Sequence, residues 1–243
     1  MSHQLRSELL KLRTTRTVAV LLLAAAALAL FGTCAEGLSR TVGELAGEDA
    51  QRELLSGGTV GVFFATLAGL LAVTSEFRYG TIRPTLLFEP RRRVLLAAKL
   101  VAAALAGILF ALVCVAVSFG AGLAILAARD VGVALSAPEA LAAALGTIAA
   151  GLLSAMVGVA VGMLIRNQAG AIVAVAAYAL VVDAVLFAAA PSVGRYLPGK
   201  AGDALAGLPD EHLLAPGVGA ALLLAWTVAF VVAASLRNDR SDV

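Results

Sequence analysis

The densest group of chemically capable residues lies between Thr74 and Leu100, in TSEFRYGTIRPTLLFEPRRRVLLAAKL. An acid, an arginine, a glycine–threonine pair and a proline are interleaved there with aromatic and aliphatic side chains. The stretch is too polar to cross a bilayer. It is also too rich in Phe77, Tyr79, Ile82, Leu86, Leu87 and Phe88 to be a solvated hairpin. Residues of these types in this order suit a short amphipathic helix that presses apolar anchors into a groove on a partner. Glu76, Tyr79, Ile82, Leu86 and Phe88 are the candidate contacts, while Gly80 and Pro84 set the direction of the backbone. Arg91, Arg92 and Arg93 taken alone read as a basic stop at a membrane surface, which leaves the order of residues before them unexplained.

A second candidate is Asp183, isolated in an apolar run, where an ionised carboxylate costs on the order of 2.5 to 3.5 kcal/mol. It reads either as a group lining a polar translocation path or as an acid hydrogen-bonded between helices or near the outer interface, and no basic partner is obvious. Phe63 and Phe64 are candidates for the wall of the same path, against the plainer reading of lipid-facing or packing residues.

Several chemistries are excluded. His3 and His212 both lie outside the apolar runs, and neither GxSxG nor HExxH occurs. Asp183 has no second membrane carboxylate with which to form a protease dyad. The phosphate-binding pattern GxxxxGK[ST] is missing as well, so this chain is not expected to hydrolyse ATP by that route. Cys34 and Cys114 lie in different apolar runs and read as small hydrophobes rather than metal ligands or a disulfide. No catalytic residue, metal site or cofactor is therefore expected in the chain itself.

The elements that must position these residues are membrane helices. Of the 243 residues, 61% are hydrophobic and 14% charged, with a mean hydropathy of +0.97, against roughly 45–50% apolar and 25% charged in soluble domains. The expectation is an all-α, polytopic membrane protein forming one domain over residues 1–243. Six spans are placed at roughly 17–35, 58–75, 97–126, 139–165, 169–190 and 217–236. The first follows basic residues, as a signal peptide does, but five further apolar runs argue that it is retained. Lys99, near the start of the third span, is expected to snorkel to the interface.

Residues 1–16 carry Leu5, Leu9, Leu10 and Leu12 among basic residues and read as a helix lying along the inner surface. Residues 36–57 read as a polar, acidic outer loop, and residues 191–216, with four prolines, as an external hairpin of short helices dipping into the interface. In the fourth span Gly151, Ser154, Gly158 and Gly162 form a stripe of small residues suited to close helix packing, within the chain or between chains. A formal charge of +2 gives no reason to expect nucleic-acid binding. Its distribution is more informative: thirteen of eighteen basic residues fall on one side of the six-span arrangement, which places both termini in the cytoplasm of a multi-pass cell-membrane protein.

On Glu76, Arg78, Gly80, Thr81, Ile82, Thr85, Leu86, Pro90 and Arg92 the chain resembles the ABC-2 type transporter permeases, which carry an E-x-R-x-G-T pattern followed by Thr-Leu, proline and basic residues between their second and third spans. The six-span plan, the N-terminal amphipathic helix and the long segment before the last span resemble that family too. The tripeptide Ile82-Arg83-Pro84 varies the pattern where the helix would start. The resemblance implies a permease subunit of an ABC exporter, with residues 76–93 as the coupling segment and a second permease chain, identical or homologous. Two copies of a separate ATP-binding subunit would supply the ATP and Mg site, and lipids would surround the assembly. An amphipathic or lipid-like substrate would suit its Ala-, Leu- and Val-rich walls. Two rival readings are a membrane anchor or assembly factor that transports nothing and a proton-coupled secondary transporter using Asp183, although the related halves with paired broken helices common in the latter are not evident.

The orientation has a direct test. A single cysteine at position 92, in a chain lacking Cys34 and Cys114, should react with an impermeant thiol reagent only from the cytoplasmic side; labelling from outside intact cells would reverse the topology.

Overall fold

The computed structural model describes residues 2–81 and 92–239, and among them every regular element is helical. Helix α1 is Ser2–Thr14 and α2 is Arg16–Ser39. Two short helices follow, α3 (Val42–Leu45) and α4 (Glu48–Leu55), and a 3-10 turn leads into α5, Val60–Tyr79. Beyond the undescribed stretch come α6 (Arg92–Ala128) and α7 (Ala137–Ile165). Helix α8 (Gln168–Ala177) passes through a π-helical turn, Tyr178–Val182, into α9, Asp183–Ala189. Two small helices, α10 (Pro191–Gly194) and α11 (Pro198–Leu205), precede α12, Pro216–Asp239.

Among the described residues six helical stretches are long and apolar enough to cross a membrane: Arg16–Ser39, Glu48–Tyr79, Arg93–Ala128, Ala137–Ile165, Gln168–Ala189 and Pro216–Arg237. All six expected spans are present. The second starts at Glu48 rather than near 58, because α4 and the 3-10 turn continue into α5. The acidic loop expected at 36–57 is for the most part helical. Its charges stabilise the helices: Arg40 pairs with Glu36 and Glu53, Arg52 with Glu48 at 2.5 Å, and Thr41 and Glu44 form a capping box. Gln51 is buried, donates to the carbonyls of Leu45 and Gly132 and accepts from the backbone N–H of Ala134, and so ties α4 to the α6–α7 connection.

The core is the trio α5, α6 and α7, which bury Ala65, Ala68, Val73, Phe110, Cys114, Ala155 and Val159 together. These helices approach closely because small residues face backbone. A Cβ added at Gly158 would lie 2.0 Å from the Thr66 carbonyl, and one at Gly151 would lie 2.9 Å from that of Gly107. Gly162 faces the Leu70 carbonyl, so the glycines of the expected stripe pack within the chain, while Ser154 lines a cavity. The second span is half buried, whereas the first and fifth are only 17% buried and turn most of their apolar surface outward, as helices solvated by lipid do.

The segment from 191, expected as short helices that dip into the interface, forms the short helices α10 and α11. In α11, Ala201 and Ala204 are buried between α7 and α12, with Ala150 and Leu223 as neighbours. Trp226 of α12 donates its indole N–H to the Tyr196 carbonyl at 3.0 Å and holds the start of the hairpin to the last span.

Gly158→Ala should separate α5 from α7 and cost about 1 to 3 kcal/mol, the usual range for overpacking, seen as a lower midpoint of thermal unfolding in detergent. Gly32→Ala, where an added Cβ meets nothing within 4 Å, should leave the midpoint unchanged or raise it.

Candidate functional site

Two polar sites lie at opposite ends of α5. The first is built around Lys99 of α6, whose side chain is fully buried. Its ammonium lies 2.7 Å from Glu76 Oε1 on α5 and 3.2 Å from Glu8 Oε2 on α1. Lys99 therefore does not snorkel to an interface. Two carboxylates from neighbouring helices satisfy it where it stands, the condition under which a lysine can stay charged out of water. Lys11 closes the cluster, donating at 2.8 Å to both Glu8 Oε1 and Glu76 Oε1.

Burial is the largest single influence on Lys11 and would lower its pKa, but Glu76 and Glu8 together raise it above 10.5. A raised lysine pKa contributes stability that is complete below the ordinary lysine value and is lost only as pH climbs through the raised one. The charge on Lys11 is thus constant across the physiological range.

The local sequence explains how the cluster is assembled. In α1 the face turned toward the bundle carries Leu5, Leu9 and Leu12 with Glu8 in their midst, whereas Leu10, expected in the same stripe, is exposed. The end of α5 is set by Gly80, which adopts a left-handed φ of 69° beyond the last helical residue and lets the Thr81 N–H bond back to the Glu76 carbonyl at 3.0 Å. On the other side of this end Arg78 donates to Gln168 of α8 at 3.3 Å, and the Arg166 guanidinium sits 5.4 Å over the Phe77 ring. The end of α5 is thereby braced by Glu76 against α1 and α6, and by Phe77 and Arg78 against the α7–α8 turn. Tyr79 is exposed. Ile82, Pro84, Thr85, Leu86 and Phe88, the remaining candidates in this segment, lie outside the described residues.

A cavity of about 440 Å³ opens beside the cluster, lined by Glu8, Lys11, Ser75, Glu76 and Lys99 together with apolar residues of α2 and α5. Within it Glu76 Oε2 is buried and has no hydrogen-bond partner among the described residues. Glu76, a candidate contact to a partner, is therefore engaged through its other oxygen inside the chain.

The second site surrounds Asp183. Its backbone N–H bonds to the Tyr178 carbonyl five residues earlier, the π-helical pattern, and the Tyr178 hydroxyl donates to Asp183 Oδ1 at 3.1 Å. The basic partner that could not be read from the sequence is Lys200 of α11, whose ammonium lies 3.7 Å from Asp183 Oδ2 and 2.7 Å from Asp203 Oδ2. Gly199 makes that approach possible, since a Cβ there would stand 2.6 Å from the Asp183 carboxylate. Burial acts most strongly on Lys200 and opposes its charge, but Asp203, Asp183 and Asp210 together raise its pKa.

These groups face a cavity of about 510 Å³ whose walls include Phe63, Thr66, Ser154 and Phe230. Asp183 and Phe63 thus share one cavity, whereas Phe64 turns into the core, its ring set edge-on to that of Phe63. Sequence reasoning missed Glu8, Lys11 and Lys99 as a cluster and Lys200 as a counter-ion. An acid interrupting the leucine stripe of α1 and a lysine inside an apolar run were the available signals.

A family model described as ABC-2 family transporter protein matches residues 4–183, a stretch that runs from α1 to Asp183. No curated protein matches the chain.

Replacing Lys99 by Met should leave the buried Glu8 and Glu76 with only the half-exposed Lys11 as counter-ion and cost about 3 to 5 kcal/mol. Hydrogen exchange should rise across α1 and the end of α5 before global unfolding. Unchanged protection there would mean that the cluster does not hold α1 in place.

Proposed function

The chain belongs to the ABC-2 family of transporter proteins, and from that membership we propose that it couples ATP hydrolysis in a separate subunit to the export of a substrate. It is a multi-pass membrane protein and a permease subunit of an ABC transporter, a family that implies association with an ATP-binding subunit. The finer reading is a pair of permease chains on two ATP-binding subunits, with both termini and residues 76–93 in the cytoplasm and the hairpin on the outer side.

The observation that carries the reading is the brace at the end of α5. A segment that receives force from a partner must be rooted in the bundle, or it would bend instead of moving the helices. Glu76, Phe77 and Arg78 root this one in α1, α6 and the α7–α8 turn. From there α5 runs about 20 Å, at about 1.5 Å per residue, to Phe63 and the second cavity. Displacement of its inner end is carried to the outer cavity by a helix packed against α7 along its length. The partner's nucleotide state would then bias two arrangements of the bundle through differential contacts with the coupling segment. Lys200 bridges the hairpin to Asp183, and making and breaking that contact would serve as the outer gate in this reading.

Co-purification of an ATPase separates this reading from a non-transporting anchor, and ATP-dependent export without a proton gradient separates it from a proton-coupled carrier. Ile82→Ala combined with Leu86→Ala should weaken association with the ATPase by about ten-fold or more, since truncating interface anchors commonly costs more than about 1 kcal/mol each. Insertion of the permease should be unaffected. Wild-type association, hydrolysis and export in the double variant would remove residues 82–91 from the coupling path.

A further inference from the structure

The cavity under the hairpin is asymmetric in its chemistry. Val60, Phe63, Val161, Leu223 and Phe230 give it apolar walls, while its charged groups gather at one end, where α9 meets α11. Among the described lining residues these are two carboxylates, Asp183 and Asp203, and one ammonium, Lys200, a formal charge of −1 when both acids are ionised. The ammonium is unequally shared. It is hydrogen-bonded to Asp203 at 2.7 Å and stands 3.7 Å from Asp183, beyond hydrogen-bonding distance, while its other contact is the Phe187 ring at 4.9 Å. Asp183 is almost wholly buried, and its Oδ2 faces an ion that is committed elsewhere.

A volume of about 510 Å³ falls within the roughly 300 to 1,000 Å³ of small-molecule sites. We infer that this cavity binds an amphipathic monocation, an amine or onium group on an apolar body, with the cationic centre at Asp183 and the apolar part against Phe63 and the valines. The ligand class follows from what each alternative would meet. An anion would find its one nearby cation held by two carboxylates, and a neutral apolar molecule would bury Asp183 further while adding nothing to the Tyr178 hydroxyl at Oδ1 and the distant Lys200 at Oδ2. A cation at Asp183 supplies the charge that Lys200 offers only from 3.7 Å. That the ligand is the transported substrate rests on the transport reading above; that it binds does not.

The test uses the full chain in nanodiscs of zwitterionic lipid, titrated with tetraphenylphosphonium and with tetraphenylborate, which has nearly the same shape and the opposite charge, each corrected for partition into empty nanodiscs. Tetraphenylphosphonium should bind saturably and tetraphenylborate should not. Asp183→Asn should weaken the cation by about ten-fold or more, the scale of a lost charge-assisted contact. Phe63→Ala should weaken it less and keep the preference for the cation. Lys200→Gln removes the resident competitor and should tighten binding several-fold, a gain that a damaged fold would not produce, so this variant decides the matter even if Asp183→Asn does not assemble. Equal or tighter binding of tetraphenylborate overturns the inference, as does cation affinity that is unmoved or lowered in Lys200→Gln. Charge-dependent binding without ATP-driven uptake of the probe by the assembled complex would uphold the site and strike down its role in transport.

Discussion

The end of the bundle where α1 meets α5 and α6 depends on a single buried ammonium. The side chain of Lys99 is fully buried and is paired with Glu8 on one side and Glu76 on the other. With both acids present, their attraction offsets the cost of desolvation; with either missing, a buried charge stands uncompensated. Separation of α1, α5 or α6 at this level is therefore not a graded loosening. The three move together or break an ion pair in a medium of low dielectric. This makes a thirteen-residue helix at the N-terminus, which buries only a narrow stripe, a fixed part of the bundle, and it makes the end of α5 a firm foundation for whatever follows Thr81.

At the other end of α5 the constraint is steric. Backbone-to-backbone contact at Gly158 and Gly151 leaves no slack between α5, α6 and α7, so these helices transmit displacement well and tolerate added volume poorly. The fifth span is different. Its surface is largely outward, and a π-helical turn interrupts it one residue before Asp183. The close-packed elements thus form the frame, while the acid that faces the cavity sits at the irregular place in a peripheral helix.

Much of this was legible in the sequence. Apolar runs of sufficient length located the spans, whereas Glu76 and Arg78, read as candidates in a segment that docks on a partner, stand in the last turn of α5 and pair within the chain. What was not legible depended on contacts across the fold. Lys99 reads as an interfacial lysine until Glu8 is brought beside it from ninety-one positions away. Lys200 could not be assigned to Asp183 without knowing that α11 inserts beneath the fifth span. Phe63 and Phe64, adjacent in the chain, point about 100° apart on a helix, so one reaches the cavity and the other the core. The segment 36–57 was misread because its charges, taken as a sign of solvation, are paired along helices.

The seating of α11 has a consequence for biosynthesis. This short helix is held between α7, which the ribosome delivers earlier, and α12, which it delivers afterwards. Gly219 of α12 packs against the Ala201 carbonyl, and Gly146 of α7 against that of Leu205. Until the span from Pro216 has been threaded into the bilayer, one wall of that slot does not exist, and Lys200 has no fixed place opposite Asp183. During translation the carboxylate in the fifth span is thus exposed to whatever the insertion machinery offers it, and its lasting counter-ion arrives only when the final helix locks the hairpin down.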